Sequence, residues 1–393
     1  MGPPIESKLP AVGTTIFTVM SRLAAEHQAI NLSQGFPDFE PPPRLVELVE
    51  QHLRRGPRAQ NQYAPMAGLP ALREAIAAKV AEHYRRHVDP DAAITVTAGG
   101  TEALFCAIQA LVRRDDEVVL LDPSYDSYEP SVTLAGGRAV HVPLMRRPTG
   151  DGYSGIDWDR LRAALTPRTR LLIVNFPHNP SGAVLDRADL DTLAEMLRGT
   201  AAWVLADEVY EHMVYDGRPH ESLLTHDELA ARTLVVSSFG KTFHATGWKV
   251  GYCVAPPALT NEFRKVHQFV QFAVATPLQA GIADYLQECP EHAHELPAFY
   301  QAKRDHFARQ LRQETRFRCT PAASTYFQLA DYSAISDLPD TEFARELTVR
   351  HGVAAIPVSV FSASPAAEER LVRFCFAKHE ATLDAAAAKL RNL

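Results

Sequence analysis

The chain has 393 residues, 46% hydrophobic and 22% charged, the balance of a soluble globular enzyme with room for a large domain and a smaller one. A formal net charge of -7 gives no reason to expect nucleic acid or an anionic membrane as partner. The five cysteines show no metal-ligand spacing and their odd number suits a reducing cytoplasm, no basic-then-apolar leader opens the chain, and no apolar run approaches the roughly 20 residues of a membrane span.

Residues 1–45 read as an arm. Pro3, Pro4 and Pro10 discourage helix, 16–27 is amphipathic, and 30–32 is a short extended piece. It leads into Ser33-Gln34-Gly35-Phe36-Pro37, a turn that exposes a backbone N–H. Prolines 41–43 start a helix over 44–54, Asn61-Gln62-Tyr63 lies in a polar loop, and a further helix covers 69–85. Then strand and helix signals alternate. Strands are expected at 94–97, 117–121, 139–144, 171–175, 202–206, 234–236 and 250–255, with helices at 101–112, 190–197, 258–272 and 278–286. Seven near-continuous apolar strands alternating with helices predict an α/β fold whose mostly parallel sheet is covered on both faces. Residues 46–289 are read as this large domain. From 290 to 393 the pattern changes to a smaller α+β domain, with helices at 298–314 and 341–350, strands at 325–329, 353–356 and 370–376, and an Ala-rich terminal helix. The arm is expected to join it.

In parallel sheets, ligands bind beyond the carboxyl ends of the strands, and here the polar turns follow the strands directly. Gly99-Gly100-Thr101 opens a helix after a strand, which makes it an anion site. Ser237-Ser238-Phe239-Gly240-Lys241 follows another, and Lys249 comes eight residues later. A lysine amine becomes a nucleophile toward carbonyls when burial lowers its pKa. Ser238 and Lys249 are placed to share one phosphate with the Gly100 turn. Tyr125, also after a strand, suits stacking on a flat ring, although packing is the commoner role of such a tyrosine. Asp207 ends an apolar strand and needs a cationic partner if buried, or serves as a helix N-cap if not. Asn179 and Tyr210 suit a phenolic oxygen on the same ring, while Asn179-Pro180 is also an ordinary turn dipeptide. Arg373, inside Leu-Val-Arg-Phe-Cys-Phe, must be paired, either with a substrate carboxylate or in a structural salt bridge. Taken together, these are the parts that pyridoxal 5′-phosphate chemistry on an amino acid requires.

The motifs Asn31-Leu32-Ser33-Gln34-Gly35-Phe36-Pro37, Asn61-Gln62-Tyr63, Asp122-Pro123-Ser124-Tyr125-Asp126-Ser127-Tyr128, Asn179-Pro180-Ser181-Gly182, Asp207-Glu208-Val209-Tyr210, Ser238-Phe239-Gly240-Lys241-Thr242 and Arg373-Phe374-Cys375-Phe376 span nearly the whole chain. In that order the chain resembles the fold-type I, pyridoxal-phosphate-dependent class I/II aminotransferases. Within them it is most similar to the bacterial methionine aminotransferases of the kynurenine aminotransferase-like group. The resemblance implies that Lys241 condenses with the cofactor aldehyde and shuttles the α-proton. It implies that Asp207 pairs with the ring nitrogen, that Asn179 and Tyr210 contact the ring oxygen, and that Tyr125 stacks on the ring. Gly100, Thr101, Ser238 and Lys249 hold the phosphate, and Tyr63 reaches the phosphate of a neighbouring subunit's cofactor in an obligatory homodimer. Arg373, Gly35 and Asn179 bind the substrate carboxylate. His178, where many relatives carry a non-ionisable residue, is read as capping its turn. Apolar groups near the site (Ile16, Phe17, Phe36, Tyr63 and Tyr125) favour methionine or aromatic donors over aspartate. A cysteine-conjugate β-lyase on the same scaffold is the rival reading. A non-catalytic amino-acid sensor is disfavoured because every catalytic position is filled.

Overall fold

The computed structural model describes residues 5–54 and 61–393; the first four positions of the expected arm, Pro3 and Pro4 among them, lie outside it. The strands in chain order are β1 (Ile30–Asn31), β2 (Ile94–Thr97), β3 (Glu117–Asp122), β4 (Arg138–Pro143), β5 (Met145–Arg146), β6 (Tyr153–Gly155), β7 (Thr169–Asn175), β8 (Trp203–Asp207), β9 (Thr233–Ser238), β10 (Gly251–Val254), β11 (Phe327–Asp331), β12 (Val353–Ala354), β13 (Ile356–Pro357) and β14 (Leu371–Cys375). All seven strands expected in the first two-thirds of the chain join one sheet, ordered β2-β10-β9-β8-β7-β3-β4. Its sequence pattern explains the double cover. Val118 and Leu120 pack in one apolar cluster and Val119 and Leu121 in another, as the pleat sends alternate side chains to opposite faces.

The sheet is mixed at one place. β10 runs antiparallel to both neighbours, whereas β9, β8, β7, β3 and β4 are parallel. The link from β9 to β10 holds only the short helix Phe239–Thr242 and one further turn, too little to cross back over the sheet. The chain therefore returns down the same edge, and Gly251 pairs with Ser238. This reversal sets Lys249, just before β10, beside the end of β9. Gly251 must be glycine for that approach: a Cβ there would lie 2.7 Å from the Ser237 carbonyl oxygen and 3.0 Å from the Gly100 nitrogen.

Beyond this sheet, β11, β14 and β13 form an antiparallel three-stranded sheet, and arm strand β1 pairs in parallel with β12. One apolar cluster joins Met20, Leu23 and Leu32 of the arm to Phe307, Phe327, Phe374 and Leu383, and also takes in Tyr210, Met213 and Tyr215 from the middle of the chain. The strand expected at 353–356 is two strands, one for the arm and one for β14. The strand expected from 325 starts two residues later, because Thr325 has φ 63° and is not extended. The helix expected from 298 begins at Glu291 and runs through Pro297. The β5–β6 ribbon and the helices Tyr128–Leu134 and Trp158–Ala164 carried no clear periodic signal. No helix among the described residues is long and apolar enough to cross a membrane.

Candidate active site

At the carboxyl edge of the large sheet lies a cavity of about 340 Å³, lined from one side by strand ends and from the other by the arm, β11 and β14. The strand-end wall begins with the helix Gly99–Leu111, whose free N–H groups face the cavity through Gly100 and Thr101. Gly99 has φ 77°, and a Cβ on it would come within 3.2 Å of the Lys249 ammonium. Lys249 thus sits against the helix start, with Ser238 in the same lining. A helix N-terminus, a hydroxyl and an ammonium form a cradle for a phosphate dianion.

Deeper in, β7 and β8 end side by side, with Asn175 opposite Asp207. Asp207 is buried and accepts a hydrogen bond from the Tyr128 hydroxyl at 2.6 Å. Burial without a paired cation pushes its carboxyl up to about 6, a charge that a protonated ring nitrogen would stabilise. Asn175 donates to the Asp207 carbonyl at 2.9 Å and accepts from the Asn179 N–H at 3.1 Å, so it fixes the 178–182 turn against β8. His178 serves that turn, as expected: its Nδ1 meets the Ser181 hydroxyl at 2.7 Å, and burial pushes the imidazole down to about 4. Tyr210 is buried and burial raises its phenol, which keeps it a proton donor.

The Lys241 amine stands between the two walls. Burial brings it down to about 8. It donates to the Tyr326 hydroxyl at 3.0 Å, and Tyr326 in turn donates to the Gly35 carbonyl at 2.5 Å. The arm is pinned there by the Cys375 N–H, which donates to the Leu32 carbonyl at 2.8 Å. Gly35 needs to be small, because a Cβ would lie 2.8 Å from the Phe327 ring. Arg373, on β14, is 1% exposed and makes no ion pair among the described residues. Its guanidinium donates to Asn179 Oδ1 at 2.7 Å and the Ser33 carbonyl at 3.1 Å, lies 3.9 Å from the Phe327 ring centroid, and leaves Nε without a partner. The salt-bridge alternative for this residue has no support here. A buried fork with spare donors suits a carboxylate from outside the chain.

The cavity brings together Gly35, Phe17, Gly100, Thr101, Tyr125, Asn179, Asp207, Tyr210, Ser238, Lys241, Lys249 and Arg373. Three expected residues lie elsewhere; Ile16 packs against the apolar cluster that takes in the arm. Phe36 is half exposed and is not part of the lining; Lys378 donates to its carbonyl at 2.7 Å and lies 4.9 Å from its ring centroid. Tyr63 is 84% exposed and rests edge-on against Phe272. Conversely, Tyr128, Asn175, Tyr326 and Phe327 touch the site's key groups and were not singled out in the sequence. Tyr128 stands in the quoted Asp122–Tyr128 motif and Asn175 ends an expected strand, whereas Tyr326 shows only as one aromatic in Thr-Tyr-Phe.

The model of the family aminotransferase class I and II matches residues 27–390. The methionine aminotransferase of Escherichia coli (strain K12) is 52% identical over 388 residues, covering 99% of this chain and 98% of that one. Human kynurenine–oxoglutarate transaminase 1 is 38% identical over 397 residues, with 94% of each chain covered. The crystal structure of YbdL from Escherichia coli, reported with a methionine aminotransferase function, superposes with a TM-score of 0.95 at 52% identity over the whole of both chains. The chain belongs to the class I and II aminotransferases.

Proposed function

We propose that this aminotransferase moves the amino group of methionine, and of aromatic amino acids, to a 2-oxo acid in two half-reactions, with pyridoxal 5′-phosphate as cofactor. The observation that carries the reading is Arg373, a buried guanidinium without an ion pair that lines the same cavity as Lys241 and the charge-starved Asp207. The cofactor supplies an electron sink when a proton leaves the α-carbon. The chain's residues do the rest. Gly100 and Thr101 N–H groups, Ser238 and Lys249 hold the phosphate. Asp207 would face the ring nitrogen's positive charge, Asn179 and Tyr210 would donate to the ring oxygen, and Tyr125 would cover the ring. Arg373, Asn179 and the Gly35 N–H orient the substrate carboxylate. Lys241, with a pKa near 8, is partly unprotonated at neutral pH and takes the α-proton at Nζ before returning it.

The donor preference rests on the lining. Phe17, Leu104, Val209 and Phe327 are apolar, and Lys241, Lys249 and Arg373 are its only Lys or Arg residues among those described. Among this chain's described lining residues, no further cation is left for a second, distal carboxylate. The relative named for methionine supports the same choice. Apolar pockets separate similar chains by only about 1–3 kcal/mol per methylene, so several donors are accepted. We further propose a cytoplasmic homodimer. Tyr63 lies beside Phe272, and Phe269 is 86% exposed, an apolar surface that a second copy would cover while Tyr63 reached that copy's phosphate. The test is a donor panel (methionine, phenylalanine, kynurenine and aspartate) against several oxo acids, with cofactor absorbance followed in each half-reaction. Methionine and the aromatic donors are expected to discharge the cofactor and aspartate to leave it unchanged. Aspartate as the best donor would overturn the preference.

A further inference from the structure

Two groups of three side chains outside the cavity bring metal-ligating atoms together among the described residues. One is closed on itself. Glu102 accepts from the Cys106 thiol and the Ala98 N–H and pairs with His267 Nδ1, while His267 Nε2 meets the Met66 carbonyl at 3.0 Å. No ligand atom is left over there.

The other is open to solvent. Glu82 and His83 lie in the last turn of the helix Pro70–Tyr84, and His294 lies near the start of the helix Glu291–Glu314. One ligand atom from each lies within 4.8 Å of the other two. Glu82 and His294 already meet at 2.9 Å, and the His83 and His294 ring centroids are 4.8 Å apart. His83 makes no side-chain hydrogen bond among the described residues, which leaves its ligand nitrogen uncommitted. Behind it stands His212, 7% exposed, its Nε2 without a partner and its ring centroid 4.9 Å from that of His83.

We propose that Glu82, His83 and His294 form a binding site for a divalent transition metal, zinc in particular. Two imidazoles and one carboxylate are a borderline donor set that suits zinc, with water in the fourth position. Magnesium and calcium take oxygen ligands and are disfavoured by the two nitrogens. The ligands stand on two separate helices, so the ion ties them together. His292, two residues before His294, meets the Thr242 carbonyl at 2.9 Å. The ion therefore also braces the turn that carries Lys241, from behind and without touching the cavity.

The cofactor-loaded protein is titrated with zinc against a chromophoric chelator. Saturable uptake of one zinc per chain at micromolar concentration is expected, with a rise in Tm and no competition from millimolar magnesium. His83→Asn and His294→Asn are each expected to weaken zinc at least about tenfold while leaving the cofactor absorbance unchanged, which reports an intact fold. A smaller loss in either variant, or no saturable zinc in the wild-type protein, overturns the site. Turnover is not the readout, so the result stands apart from the choice of amino donor.

Discussion

The two walls of the cavity are built differently. The strand-end wall takes its groups from neighbouring strands of one sheet, which registers Asn175 against Asp207 across a parallel pair and Ser238 against Gly251 across an antiparallel one. The opposite wall is assembled from β11, β14 and the arm, and the arm meets a segment 291 residues away where Tyr326 donates to the Gly35 carbonyl. The first wall carries groups suited to a ring and a phosphate, and the second carries a buried guanidinium suited to a carboxylate. The difference teaches that cofactor retention and amino-acid recognition are largely separable here, with the Lys241 amine and Asn179 shared between them.

The largest effect is expected at the shared group. Lys241→Ala should lower kcat by at least about 10⁴-fold yet still retain cofactor non-covalently by gel filtration. Full turnover in that variant would remove the centre of the comparison. On the strand-end wall, Asp207→Asn should lower kcat/KM by about 10²–10³-fold and weaken cofactor binding to the apoenzyme. The same residue gives a pH dependence. Its empty-site pKa is about 6 and the ionised form is the one that pairs with a cation, so affinity is full above pH 6 and falls as pH drops through it. The cofactor phosphate also titrates near 6, so the carboxylate's share is the part of the slope missing from Asp207→Asn. On the opposite wall, Arg373→Lys should raise the KM for methionine and lower kcat/KM by about 10²-fold with cofactor affinity unchanged. A cofactor defect of equal size would show that the walls are not separable. The smallest effect is expected from Tyr326→Phe, about tenfold in kcat. Its hydroxyl accepts from the Lys241 amine and so favours the protonated form; without it, the rising limb of kcat against pH should move below the limb near 8.

The same contrast explains what was legible in the sequence. All seven strands of the large sheet were recoverable as short apolar or β-branched runs, and the turns that follow β2, β3, β7, β8 and β9 are the ones that supply the strand-end wall. Lys241, Asp207 and Lys249 were legible for that reason. The partners that hold them were less so. Tyr128 reaches Asp207 across 79 positions and Tyr326 reaches Lys241 across 85, and local pattern carries no record of such contacts. Arg373 was conspicuous as a charge in an apolar strand, but only the folded chain shows that, among the described residues, no structural salt bridge claims it. Phe36 lies outside the lining although Gly35 beside it is inside, because adjacency in sequence says nothing about which way a side chain points.

The central claim is that the amine at position 241 is where the cofactor attaches. Borohydride reduction of the purified protein, followed by digestion and mass spectrometry, tests it most directly. The account predicts a phosphopyridoxyl adduct on the peptide containing Lys241 and on no other lysine; an unmodified Lys241 peptide, or an adduct on Lys249 in its place, would contradict it.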